Sequence, residues 1–216
     1  MGVQVPTPTA TQKLDELVSR TRDGAKAFAR LGAKERHRLV EEMREGFRAV
    51  AEQSVIAACQ AKGIDPHSPL AGEEWLAGPT IVLRNLRLLS DSLKDITRYG
   101  RPRIDASWIR TLADGRLAIA VYPVNALDAM LLPKHSAEVH LQPGVTAENL
   151  AEHQASFYRT PHGGKVCVVL GAGNVNSIPP TDCAYKMFVE GKACILKMNP
   201  VNAYLGPFLE RAFRTA

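Results

Sequence analysis

Apolar positions recur at three- and four-residue steps through the first hundred residues. Leu14, Leu17, Val18, Ala25, Phe28 and Ala29 form one stripe, which predicts an amphipathic helix broken at Gly32. A longer stripe of Leu39, Val40, Met43, Phe47, Val50, Ala51, Val55 and Ala58 predicts a second helix over roughly 34–62, ended by Gly63. Asp65-Pro66 begins a turn. Ser68-Pro69 then reads as a cap and first helical residue, opening a third helix to about Tyr99 with Val82, Leu86, Leu89, Leu93 and Ile96 as its stripe. Residues 1–10 carry no stripe and are expected to form a tail. Nothing in these helices carries chemistry; the stripes are read as core.

The period then changes. Residues 108–121 hold two short runs joined at Asp114-Gly115, a two-residue hairpin signal. In that register Trp108, Arg110 and Leu112 stand opposite Val121, Ile119 and Leu117, giving one apolar face around Arg110. A lone hairpin is marginal, so it needs a sheet or a partner subunit to cover it. Pro123, Pro133, Pro143 and Pro161 divide the forty or so residues that follow. Within them Thr146 is placed to cap a short helix over 147–157.

The most informative stretch begins at Lys165. Residues 165–170 form a short valine-rich run, expected to be a strand buried on both faces. A turn of small residues follows over 171–177. Pro179 and Pro180 suit the first turn of a helix, Gly191 stops it, and 193–196 reads as a second buried strand. Strand, loop, helix and strand make a parallel crossover unit. Ligands of such sheets bind beyond the carboxyl ends of the strands, here the loop 171–177 and residues 197–200. A final helix is expected from Ala203 onward, with Leu205, Phe208, Leu209, Ala212 and Phe213 as its stripe.

Composition narrows the classes. The 216 residues carry a net charge of +5 and 45% apolar residues, enough for a real core. Basic residues alternate with acids along the helices, as in Lys34-Glu35-Arg36, and aromatics amount to only 6%. That pattern argues for a solvated helix surface and against nucleic-acid binding. There is no apolar run of membrane length and no signal-peptide pattern, so the expectation is a cytoplasmic protein without membrane contact. The four cysteines, Cys59, Cys167, Cys183 and Cys194, lack metal-type spacing and read as reduced, packed thiols. His135, His140, His153 and His162 share one segment but show no ligand pattern, and no metal is expected.

Gly171-Ala172-Gly173 supplies only part of a dinucleotide fingerprint. Asn176 takes the third glycine position, and Lys197 stands where a ribose-binding acid is usual. The intervals resemble the aldehyde dehydrogenase superfamily. That family has an asparagine just after the first strand of its cofactor domain, then a glycine and a lysine at fixed distances. Asn174 here is followed by Gly191 after 17 positions and by Lys197 after 23. The resemblance implies that the Asn174 amide stabilises the oxyanion formed when a cysteine attacks an aldehyde. It implies that Lys197 holds the adenosine ribose of NAD or NADP. Gly171, Ala172 and Gly173 would let the backbone approach the cofactor, with Asn199 and Pro200 beside it. The chain departs from the family in having Ala172-Gly173 before the asparagine and Asn176 after it, where Pro-Trp and Pro are usual. Pro200 replaces a glutamate common in NAD-using members, and the insert 123–163 is longer than the family norm.

The expected fold is therefore α/β: amino-terminal helices and a β-hairpin, then the start of a Rossmann-like parallel sheet, incomplete at the carboxyl end. The expected segments are a helical part over 1–105, a hairpin for oligomerisation over 106–122, the insert 123–163 and the first part of an NAD(P)-binding domain over 164–216. The resemblance implies the amino-terminal part of an NAD(P)-dependent aldehyde dehydrogenase, oxidising an aldehyde to an acid or thioester. The family's catalytic cysteine and general base have no match here, so the 216 residues are expected to be inactive alone. Homo-oligomerisation through the hairpin is also implied. The alternatives are a non-catalytic cofactor-type half-domain used for binding or assembly, and an unrelated doubly wound nucleotide-binding protein.

Overall fold

The computed structural model describes residues 7–216. The tail expected over 1–10 falls largely outside them, and residues 7–10 lead without regular structure into the first helix. The helices are α1 (Thr11–Ala29), α2 (Ala33–Lys62), α3 (Ala71–Trp75) and α4 (Ile81–Tyr99). After them come the strands β1 (Ile109–Thr111) and β2 (Leu117–Tyr122), α5 (Ala126–Leu131), β3 (Ala137–His140) and α6 (Leu150–His153). Strand β4 (Lys165–Leu170), α7 (Ile178–Phe188), β5 (Lys192–Lys197) and α8 (Gly206–Ala212) complete the chain. No helix among the described residues is long and apolar enough to cross a membrane.

One core joins the two ends of the chain. Phe28 from α1, Val40, Met43 and Phe47 from α2, Val82 and Leu86 from α4, Phe188 from α7 and Leu209 from α8 all bury side chains in it. Each such side chain stabilises the fold by roughly 1.5–3 kcal/mol through lost contact with water. The helical segment and the 164–216 segment therefore share an interior. Helix α2 crosses α8 so closely that a Cβ at Gly46 would lie 1.9 Å from the Ala212 carbonyl oxygen. Only glycine permits that approach.

Arg36 lies at the centre of this junction and is fully buried. Its guanidinium donates to the carbonyls of Leu31 (3.0 Å), Met187 (3.2 Å) and Phe28 (2.8 Å), and sits 4.0 Å from the Phe28 ring centroid. One cation thus ties the end of α1 and the start of α2 to α7. Burial pulls the Arg36 pKa down from its ordinary value. The neighbouring Tyr158 is pushed up to about 12, also by burial.

The two strands of the crossover unit are parallel neighbours, with Lys165 opposite Lys192 and Leu170 opposite Lys197. Gly191 stops the crossover in the left-handed region, at φ +66°. Burial on both faces does not hold: Val169 is buried, but Val168 and Leu170 are 57% and 74% exposed. Among the described residues the two strands form a sheet of their own, and those two side chains stay open to solvent.

The hairpin also differs from expectation. Leu112 N–H donates to Arg116 O (2.8 Å) and Gly115 N–H to Leu112 O (3.0 Å), with Gly115 at φ +83°. The loop therefore holds three residues, not two. Asp114 accounts for this, since its carboxylate accepts from the Arg116 backbone and side chain at 3.1 and 2.7 Å. Adding one loop residue slips the register by one and exchanges the faces. Ile109, not Arg110, stands opposite Ile119. Arg110 faces Ala118 and pairs with Glu138 on β3 at 2.7 Å. The insert thus supplies a third strand, antiparallel to β2.

Three smaller corrections follow. The third helix is interrupted by a π-helical turn, Leu76–Thr80, at Pro79. The helix expected over 147–157 is reduced to α6 and a 3-10 turn, Ser156–Arg159. The last helix starts later than expected, because Pro200–Leu205 forms a 3-10 turn before α8.

Candidate functional site

Parallel pairing brings the carboxyl ends of β4 and β5 side by side. Gly171 N–H donates to Lys197 O at 2.9 Å, which continues the ladder into the loop. A Cβ on Gly171 would meet that carbonyl oxygen at 3.2 Å and the Pro179 ring at 3.3 Å. The first glycine therefore serves close packing of loop, strand and helix. Gly173 packs against the Asn199 side chain, where a Cβ would fall 2.8 Å from Asn199 Cγ. Asn199 in turn accepts from Val201 N–H at 3.1 Å and starts the 3-10 turn that Pro200 opens. Buried Asn202 donates to Ala172 O at 3.2 Å. So Gly171, Ala172, Gly173, Asn199 and Pro200 are brought together, each loop touching the other.

Asn174 and Lys197 are different in kind. Both are exposed, and neither side chain makes a hydrogen bond or ion pair among the described residues. An amide and an ammonium thus stand free at the ends of adjacent strands. Pro179 and Pro180 remove two backbone donors from the first turn of α7. An anion held here would rely on loop amides and Lys197 more than on the helix end.

Sequence reasoning missed what fixes this loop to the helical segment. Glu74 on α3 is 3% exposed, accepts from Asn176 Nδ2 at 3.0 Å and forms an ion pair with Lys62. Tyr204 O–H donates to Asn176 Oδ1 at 3.1 Å. Asn176 thus fills both ends of its amide, one toward each neighbour. The hydrogen bond that Lys62 donates to Glu74, more than any other influence, raises the pKa of Lys62; burial raises that of Tyr204. Asn176 marks a departure from the glycine fingerprint, and this is its physical use. The local signal was the asparagine itself; Glu73-Glu74 looks like any solvated acidic pair. A cavity of about 20 Å³ beside Glu74 and Asn176 has room for a single water at most. Among the described residues no cluster of His, Cys, Asp and Glu is arranged to hold a metal ion.

Comparison of the chain with protein-family models, with curated proteins and with solved structures finds no match in any of the three.

Proposed function

We propose that these residues form the helical segment, hairpin and first Rossmann-like crossover of an NAD(P)-dependent aldehyde dehydrogenase. In this reading Lys197 binds the adenosine ribose, or the 2′-phosphate of NADP. The loop 171–173 takes the cofactor against its backbone, beside Asn199 and Pro200. Asn174 donates its amide to the oxyanion of a thiohemiacetal. The observation that carries the reading is the pair of free donors, Asn174 and Lys197, at adjacent carboxyl ends of a parallel unit. The resemblance in their spacing supplies the roles. Asn174 suits a donor for developing charge because no internal partner competes for its amide. Gly171 and Gly173 let the loop pack closely on Lys197, Pro179 and Asn199, which fixes its backbone beside the strand ends.

The chemistry of that family is attack of a thiolate on the aldehyde carbon, hydride transfer to nicotinamide and release of an acid or thioester. None of Cys59, Cys167, Cys183 and Cys194 is offered as the nucleophile: Cys59 is fully buried, and the other three stand on α7 and the strands, not in the loop that carries Asn174. The 216 residues by themselves should bind cofactor without turning over aldehyde. A cytoplasmic setting and homo-oligomerisation belong to the same proposal.

Calorimetric titration with NAD and NADP tests it. No acid stands three residues after Lys197 to repel a 2′-phosphate, so NADP should bind at least as well as NAD. Lys197→Ala should weaken NADP roughly 10- to 100-fold through loss of a charge-assisted contact, and NAD less. Asn174→Ala should leave both affinities within about twofold, since its donor acts on charge that develops only during reaction. Unchanged NADP binding in Lys197→Ala would refute the assignment.

A second reading is favoured by one observation, the exposed Val168 and Leu170 on β4. It makes the unit a non-catalytic assembly module, with that face covered by another protein surface. Absence of any NAD or NADP binding, together with self-association abolished by Leu170→Asp, would select it.

A further inference from the structure

Three of the four cysteines meet on one side of the crossover unit. Cys167 and Cys194 are direct partners in the parallel register of β4 and β5, so their side chains leave the sheet on the same face. Helix α7, which carries Cys183, packs on both strands. Cys194 Sγ lies 3.8 Å from the carbonyl oxygen of Cys183, which sets the two residues side by side across the helix–strand contact. All three residues are only partly buried, so a small solute can reach them. Cys59 is apart from them and fully buried among apolar side chains.

We propose that Cys183 and Cys194 form a peroxide-responsive thiol pair whose disulfide clamps α7 onto β5. The reaction balances without a metal or cofactor. The Cys183 thiolate attacks one oxygen of hydrogen peroxide; the O–O bond breaks, sulfur is oxidised, and hydroxide leaves and takes a proton as water. The product is the Cys183 sulfenic acid. Cys194 sulfur then attacks that sulfur, an S–S bond forms, and the displaced hydroxide leaves as a second water with the Cys194 proton. Two thiols and one peroxide become one disulfide and two waters.

Local chemistry fits this order of events. The interaction with the neighbouring Cys194 thiol pulls the Cys183 pKa below the ordinary thiol value, while that of Cys194 is pushed up. Cys183 is therefore the attacking sulfur and Cys194 the resolving one. The Lys186 and Lys192 ammoniums, both paired with Glu190, act on Cys194 and offset part of its rise, while Asp182 and Cys167 oppose part of the lowering at Cys183. Cys167 is left out by its position. It shares the face, but its thiol is directed to its own strand's backbone, toward Val168 O at 3.6 Å. This inference does not depend on the cofactor reading, since no residue of the loop 171–177 takes part.

The test uses the full chain, reduced and freed of reductant, with a few equivalents of hydrogen peroxide. Two of the four thiols should be lost to Ellman's reagent. Peptide mapping should join Cys183 to Cys194 within one chain, and dithiothreitol should reverse it. Closing so short a loop should raise Tm by roughly 5–10 °C. Cys167→Ser should give the same cross-link. In Cys194→Ala, where no resolving thiol remains, dimedone should trap the Cys183 sulfenic acid. The proposal is overturned by a cross-link through Cys167 or Cys59, by an intermolecular disulfide, by sulfinic acid as the main product at Cys183, or by no loss of thiols. A Cys183–Cys194 cross-link that leaves Tm unchanged overturns the clamp.

Discussion

Replacing Arg36 by methionine tests how the helical segment is held to the crossover unit. The guanidinium donates to three carbonyls and stacks near the Phe28 ring, with no carboxylate among those contacts. Hydrogen bonds from a charged group contribute roughly 1.5–3 kcal/mol each. They do not simply add here, because two of the three acceptors keep another partner. Phe28 O also accepts from Leu31 N–H, and Met187 O from Gly191 N–H. Only Leu31 O would be left without its donor, at a cost of about 1–3 kcal/mol. Loss of the cation–π contact adds roughly 1–2 kcal/mol at a desolvated site. Against these stands the relief of no longer burying a charge. The balance predicts that Arg36→Met lowers unfolding free energy by about 2–4 kcal/mol. Arg36→Ala should lose about 1–2 kcal/mol more by leaving a cavity. Urea unfolding followed by circular dichroism, extrapolated to water, measures both. An Arg36→Met protein within about 0.5 kcal/mol of the wild type would refute the reasoning, since that is the scatter of surface changes.

Further predictions follow from other contacts. Asp128 is buried and accepts from Arg84 at 3.0 and 2.8 Å, and these bonds hold its pKa below the ordinary carboxylate value. Its contribution is therefore full above the ordinary carboxylate range and disappears as pH falls through the depressed folded value. Asp128→Asn should cost about 1–3 kcal/mol at pH 7, and in urea titrations the gap from wild type should close as pH falls below the ordinary carboxylate range; a gap independent of pH would refute the pairing. Asn176→Ala leaves the buried Glu74 with Lys62 alone and should cost about 1–3 kcal/mol, with faster amide exchange over 171–177; unchanged exchange would show that the loop is held by other means. For the hairpin, Ile119 is already covered within the chain, whereas Val121 and Val139 are 41% and 48% exposed. Val139→Asp should therefore abolish any association through this sheet in sedimentation without lowering Tm by more than about 2 °C, and an unchanged oligomer would exclude this face.

The elements most legible in the chain were those with a long apolar period or a sharp stop. The α2 stripe from Leu39 to Ala58 and its glycine stop at Gly63 needed nothing from elsewhere in the chain. Pro179, Pro180 and Gly191 bounded α7, because their backbone preferences act locally. The hairpin register was lost for want of one fact, that Asp114 bonds forward to Arg116 and enlarges the loop. Strand β3 was hidden because the alternation of Ala137, Glu138, Val139 and His140 lasts only four residues and buries neither face; all four are exposed, and β2 holds them by backbone pairing. At the site, the loop and strand ends were readable from spacing. The Glu74–Asn176–Tyr204 bridge was not, since Glu74 and Asn176 stand 102 positions apart and only the packing of α3 against the loop makes them partners.

The proposed function puts NADP across the carboxyl ends of β4 and β5. Amide chemical-shift mapping of the labelled chain on titration with NADP tests it without requiring turnover. The largest changes should fall on Gly171, Ala172, Gly173 and Asn174 and on Lys197 and Asn199, and Lys197→Ala should diminish them. Shifts confined to other surfaces, or none at millimolar NADP, would contradict it.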